Sequence, residues 1–246
     1  VYAMEYQNKP EDYENKFPNL KRTLLKGVSG QTLFITSCGF ISGASLRLLE
    51  QLKDKKCEIS VLYVKPDSAN LSKEKTLQDN LVFNVLQEYA RSGVFERFYI
   101  VDNTRMTDIV GDVPVREYYN KLNELVSSTL HMINVFDNSE PVMNTFSKPI
   151  DVARISTLGL VDYETEEEKM FFNLDMPREK RYYYAIPEET LESDGSLVKK
   201  VKKQVKNNVE HDTMKSSYQI HSTNYDKPYV YFVSNSNFIQ KNEKNA

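Results

Sequence analysis

The chain reads as an α/β protein, with a Rossmann-like parallel sheet flanked by helices, a long central helix and a smaller α+β second module. Three observations predict this. Short β-branched and aromatic runs alternate with helix-like stretches from Thr32 to Val101. Tight turn signals such as Ser37-Cys38-Gly39 and Pro66-Asp67 separate them. Val115 to Phe136 then repeats apolar residues at spacings of three and four, the period of one helix face. Strands that alternate with helices through short turns favour a parallel sheet with helices on both faces.

The elements follow in order. Residues 1 to 15 are polar and Tyr-rich, a loop or the lead-in to a helix. Phe17 to Val28 spaces Leu20, Leu24 and Leu25 as a helix face does. Thr32 to Thr36 is a short buried strand, which turns at Gly39 into a helix carrying Leu46, Leu48, Leu49 and Leu52. Ile59 to Val64 is the next strand, Leu71 to Ala90 a long helix, and Phe95 to Val101 another strand. The helix Val115–Phe136 spans roughly 30 Å at ~1.5 Å per residue. Pro141 and Pro149 punctuate a loop, and Val161 to Lys169 is acidic and exposed. Arg181 to Ile186 is a strand, Leu191 to Val209 a basic amphipathic helix, and Met214 to Ser222 and Tyr229 to Val233 are strands. The tail from Gln240 is polar and expected to fray. The expected divisions are 1–114, the helix 115–136, and 137–246.

Composition excludes several classes. With 246 residues the chain can bury a real core. A formal net charge of −3 implies no strong polyanion partner, so no nucleic acid is expected. No apolar run approaches the ~18 residues of a spanning helix, and no signal peptide is visible, so no membrane partner and a cytoplasmic setting are expected. Cys38 and Cys57 form neither a disulfide framework nor a zinc spacing, and His131, His211 and His221 lie far apart, so no metal site is expected from them. Cys38 reads as a small buried thiol. The run Lys199 to Lys203 reads as the solvated face of a helix.

One constellation carries chemistry. Ile100-Val101-Asp102-Asn103 ends a strand on an Asn, and the long helix then presents Tyr119 and Asn123 one turn apart. Asn103 and Asn123 each offer an acceptor and a donor to the edge of a heterocycle, and Tyr119 offers a face to stack on. That is the chemistry of a purine pocket. Read singly, Asp102-Asn103 caps a turn and Tyr119 and Asn123 are surface residues of a helix. Upstream, Ser37-Cys38-Gly39-Phe40-Ile41-Ser42-Gly43-Ala44 is a strand-to-helix turn. Gly39, Ser42 and Gly43 suit a loop whose backbone N–H groups close around a phosphate. Phe40 and Ile41 put bulk where close approach is needed, and the plain reading is an ordinary turn. G-x-S-x-G is absent, which excludes a hydrolase elbow.

These segments resemble the tubulin/FtsZ superfamily. In tubulins V-D-N ends a strand and Y-x-x-L-N-x-L-[VI]-S opens the central helix; here Leu122, Leu125 and Ser127 also match. FtsZ is a more distant match. Ser37–Ala44 stands where the family carries G-G-G-T-G-[ST]-G. Pro149-Ile150-Asp151-Val152-Ala153-Arg154-Ile155 resembles the FtsZ segment N-V-D-F-A-D-V, a loop inserted into the nucleotide site of the next subunit. The resemblance covers roughly residues 15 to 165, and the family's first Gly-rich phosphate loop has no counterpart. It implies GTP or GDP, with Mg²⁺ if nucleotide binds, and self-association into a filament or ring. It places Gly39, Ser42, Gly43, Asn103, Tyr119 and Asn123 at the nucleotide, and Asp151 and Arg154 at the subunit interface. Asp151 matches the first acid of the loop and is the catalytic candidate. Arg154 replaces the second acid, which orients water, so the chain is expected to be a weak GTPase at best. The alternative is a structural or assembly protein, such as a viral one located in host cytoplasm or virion, that kept the fold and lost the nucleotide.

Overall fold

The computed structural model describes residues 2–67, 69 and 71–241. The chain is α/β and divides into two compact units, Val1–Thr104 with Ile239–Ala246, and Arg105–Phe238.

The first unit contains α1 (Pro10–Asn15), β1 (Gly30–Ser37), α2 (Ser45–Lys53), β2 (Cys57–Lys65), α3 (Lys73–Arg91) and β3 (Arg97–Asp102). Its strands run parallel in the order β1-β2-β3, with Thr36 opposite Tyr63 and Tyr63 opposite Ile100. Residues opposite one another share a sheet face. On this face Thr36 Oγ1 meets Ser45 Oγ of α2 at 3.0 Å, and Tyr63 meets Phe83 of α3. Both α2 and α3 therefore cover the same face of these three strands. The helix α3 starts at Ser72, whose Oγ accepts from the Lys75 N–H at 3.3 Å, the usual side-chain cap. Phe83, Leu86, Phe98 and Ile100 are fully buried around Tyr63. On the opposite face of β1, Leu33 and Ile35 are 43% and 59% exposed.

Two local differences have clear causes. Phe17 to Val28 is a series of turns and not a helix. Gln51 competes for its backbone, accepting from Leu20 N–H at 2.7 Å and donating to Pro18 O at 2.9 Å. Gln240 is buried and not frayed: its N–H and C=O both bond the amide of buried Gln87, at 2.6 and 3.1 Å. Residues 242–246 of the expected frayed tail lie outside the described residues.

The helix α4 (Asn103–Val110) begins where the first unit gives way to the second. The second unit continues with α5 (Tyr118–Asp137), β4 (Met143–Asn144), β5 (Ile155–Val161), β6 (Glu168–Met170), β7 (Glu179–Pro187), α6 (Glu188–Ser193), α7 (Leu197–Asn207), β8 (Lys215–Thr223) and β9 (Tyr229–Ser236). Its sheet is mixed. Only β7 and β8 pair in parallel; β5–β6, β5–β9, β7–β9 and β4–β8 are antiparallel.

Consecutive residues of β7 point to opposite faces. Tyr183 stacks on Phe136 of α5 and donates to Asp137 Oδ1 at 2.8 Å. Tyr182 and Tyr184 point the other way, into a cluster with Leu197, Val201 and Val205 of α7. The predicted helix over 191–209 is two helices, with the chain turning at Asp194, whose Oδ1 accepts from the Ser196 N–H at 2.9 Å. The strand β5 carries no alternating pattern because both its faces are buried, and it includes Gly159, where a Cβ would lie 2.3 Å from the Phe232 ring.

Candidate functional site

The loop expected to hold phosphate is closed by its own contacts. Phe40–Ala44 is a 3₁₀ turn. The Ser42 N–H donates to Gly39 O at 2.7 Å. Ser42 Oγ accepts from Gln78 Nε2 of α3 at 3.0 Å, and the residue is buried. Gly43 lies against the Pro10 backbone, where a Cβ would meet the carbonyl oxygen at 2.1 Å. The bare backbone of Gly43 is thus used to seat α1.

Beside the loop is a cleft of about 200 Å³, lined by Pro10, Leu46, Leu81 and Val85 among others and by Glu11 and Glu14. Small-molecule pockets are usually ~300–1,000 Å³. Its carboxylates also oppose a phosphate. Ser42 and Gly43 are thus engaged within the unit, by Gly39, Gln78 and Pro10. The sequence pattern did not single out Pro10, Glu11 and Glu14, although Pro at the first helical position followed by acids is a helix-start signal.

Deeper in the unit, Asp79 is buried and accepts from Tyr63 OH at 2.6 Å, with Lys65 Nζ at 3.4 Å. Burial, then the Asp79 charge, pushes the Tyr63 hydroxyl far above its ordinary range. Burial first, and Asp79 second, also raises the Cys38 thiol, which opposes nucleophilic use.

The base-reading candidates are placed differently. Asn103 is the first residue of α4, after Asp102, whose Oδ1 accepts from the Thr104 N–H at 2.8 Å. The Asp102 turn cap is therefore formed. Tyr119 and Asn123 lie on α5 in the second unit, both exposed, Tyr119 at 68%. The Tyr119 ring meets Tyr118 edge-on at 5.1 Å, and Tyr118 OH bonds Thr107 Oγ1 at 2.6 Å, which ties α5 to α4. Tyr119 and Asn123 thus share an exposed helix surface, while Asn103 belongs to the other unit.

Pro149 to Arg154 forms a turn leading directly into β5, with the Ala153 N–H donating to Ile150 O at 3.0 Å. The segment is not a helix N-terminus. Asp151 is exposed and 3.3 Å from Lys148 Nζ; Arg154 is half-buried. Among the described residues no group of three or more His, Cys, Asp or Glu is placed to hold a metal. None of the described helices is long and apolar enough to cross a membrane.

The architecture is that of the tubulin/FtsZ fold. A GTPγS-form protofilament of TubZ from Bacillus thuringiensis serovar israelensis matches with TM-score 0.67 and 15% identity, over 96% of this chain and 72% of that one. The GDP-form protofilaments of the same TubZ match with TM-score 0.65 and 15% identity, over 85% and 64%. An empty FtsZ dimer of M. jannaschii matches with TM-score 0.63 and 12% identity, over 95% and 71%. The chain thus spans 64% to 72% of the length of these three structures. No protein-family profile and no curated protein matches the sequence.

Proposed function

We propose that this chain is an assembly subunit of tubulin/FtsZ type that associates head to tail, and that its assembly does not depend on a phosphate gripped by Ser37–Ala44. The observation that carries the second half is the contact of Gly43 with the Pro10 backbone. The Cα side of Gly43 is occupied by α1, and the Ser42 N–H and Oγ are already bonded to Gly39 O and Gln78 Nε2, which leaves this loop fewer open groups for a phosphate. The first half is supported by the fold and by neighbours that are themselves protofilaments and filaments. The exposed turn with Asp151, followed by Arg154, is the proposed contact with the next subunit. Heterologous contacts of this kind propagate into filaments unless the rotation closes them into a ring.

A second reading keeps a guanine nucleotide, GTP or GDP with Mg²⁺, on the base side through Tyr119 and Asn123. The exposure of Tyr119 and Asn123 on one surface of α5 favours it. Sedimentation of the purified protein across a concentration series, with and without GTP, separates the two. Assembly that is the same in both conditions supports the first reading. Assembly that requires GTP supports the second. A protein that stays monomeric in both refutes self-association.

A further inference from the structure

We propose that a second copy of this chain docks the lysine face of its α7 into the cleft beside α1, an inference that rests on the self-association proposed above. Lys199, Lys202, Lys203 and Lys206 are all exposed, and their spacing of three and four puts them on one side of α7. The opposite side, Leu197, Val201 and Val205, is buried in the core. Lys200, off this row, is paired with Asp194 at 2.8 Å. The four others have no acid within ion-pair distance among the described residues. Like charges three and four apart repel one another, so the row lowers the stability of the isolated helix.

The cleft beside α1 is complementary to such a row. Its lining joins apolar Leu46, Leu81, Val82 and Val85 with the carboxylates of Glu11 and Glu14. Glu14 is 3.4 Å from Arg47 Nε, whereas Glu11 is exposed and has no cation within ion-pair distance among the described residues. Leu81, on the wall, is 54% exposed. A lysine matches this pattern, since its methylene stem can cover Leu81 and Leu46 while its ammonium reaches Glu11. Both patches lie on every copy and differ from each other, so the contact is heterologous and repeats.

A charge swap tests it, read as the concentration at which the purified protein begins to assemble in sedimentation. Glu11→Lys alone, and Lys202→Glu with Lys203→Glu, should each raise that concentration several-fold. The three changes together should bring it back toward wild type. All three positions are exposed, and circular dichroism checks that each variant folds. Added salt should weaken wild-type assembly. Wild-type assembly indifferent to all these changes would overturn the docking and leave self-association standing. A wild type that never assembles overturns both. Loss of binding to a DNA duplex on reversing Lys202 and Lys203, with assembly unchanged, would also overturn the docking and give the row to a polyanion.

Discussion

Gly43 sits so close beneath Pro10 that a Cβ added to it would stand 2.1 Å from the proline carbonyl oxygen and 2.6 Å from its carbonyl carbon. The obstacle is backbone, which cannot rotate away as a side chain can. Gly43→Ala should therefore destabilise the chain by about 1–3 kcal/mol, the scale of overpacking a filled site. Gly39 is the control. The nearest atom to its added Cβ is Ile41 Cγ2 at 4.0 Å, so Gly39→Ala should change little. Urea denaturation of both variants reads the difference. Unchanged stability in Gly43→Ala, with lost GTP affinity, would restore the phosphate-loop reading.

Asp79 and Lys65 form a buried pair, with each side chain 5% exposed, and Tyr63 OH also donates to the carboxylate. Lys65 Nζ also lies 5.5 Å from the centre of the Phe83 ring. Removing one partner of a buried pair leaves a charge without compensation, at a cost of about 3–5 kcal/mol. Asp79→Ala should show that loss in the denaturation midpoint. Combining it with Lys65→Met should recover much of it. Tyr63→Phe should cost less, about 1–3 kcal/mol, because it leaves one acceptor under-satisfied and no bare cation. A double variant as unstable as Asp79→Ala alone would contradict this.

Much of the fold was legible in the sequence because its elements are amphipathic or flanked by turn signals. The strands β1, β2 and β3 and the helices α2, α3 and α5 lie within a few residues of their expected places. What was not legible depends on contacts distant in sequence. The strand β5 hides because both its faces are buried and Gly159 must admit Phe232. Phe17 to Val28 has helical spacing, yet Gln51 takes its backbone groups from 31 and 33 residues away. The site follows the same rule. Phe40 and Ile41 already marked the loop as crowded, but the contact of Pro10 with Gly43 needs the folded chain. The pairing of exposed Lys199, Lys202, Lys203 and Lys206 with a partly acid-lined cleft needs it too.

His221 supplies a pH test. Burial lowers its pKa from the ordinary 6.5. Its ring packs on Phe136 at 4.5 Å, and its nitrogens meet Ser139 Oγ at 3.3 Å and Gln219 Oε1 at 3.1 Å. The unfolded chain then binds a proton at a higher pH than the folded one does. Above pH ~6.5 both states are neutral at this residue, and it contributes no pH dependence. As pH falls below that value, the unfolded state gains the proton first and stability declines. The decline ends once pH passes below the folded pKa. Urea midpoints at pH 7.5 and pH 5.5 should therefore differ by less in His221→Gln than in wild type. An equal difference in the two proteins would refute the assignment.

The last prediction concerns hydrolysis. A group that positions and deprotonates water contributes ~10²–10⁴-fold. The resemblance to the FtsZ loop assigns that place to Arg154 before β5, and a guanidinium cannot accept a proton. Asp151 is exposed beside Lys148, and Ser42 and Gly43 are committed to packing. GTP turnover by the purified protein should therefore stay at background. Arg154→Asp should not raise it, because supplying a base does not supply a grip on phosphate. Binding is a separate measurement. If nucleotide binds through its base, GTP should be preferred over ATP, and Asn123→Ala should weaken binding by about 1–3 kcal/mol, the scale of an unpaired polar group. Exposed on α5, Asn123→Ala should leave stability within ±0.5 kcal/mol, so that loss cannot be blamed on unfolding. Robust wild-type hydrolysis, abolished by Asp151→Ala, would show instead that Asp151 addresses the neighbour's nucleotide and that a phosphate grip exists outside Ser37–Ala44.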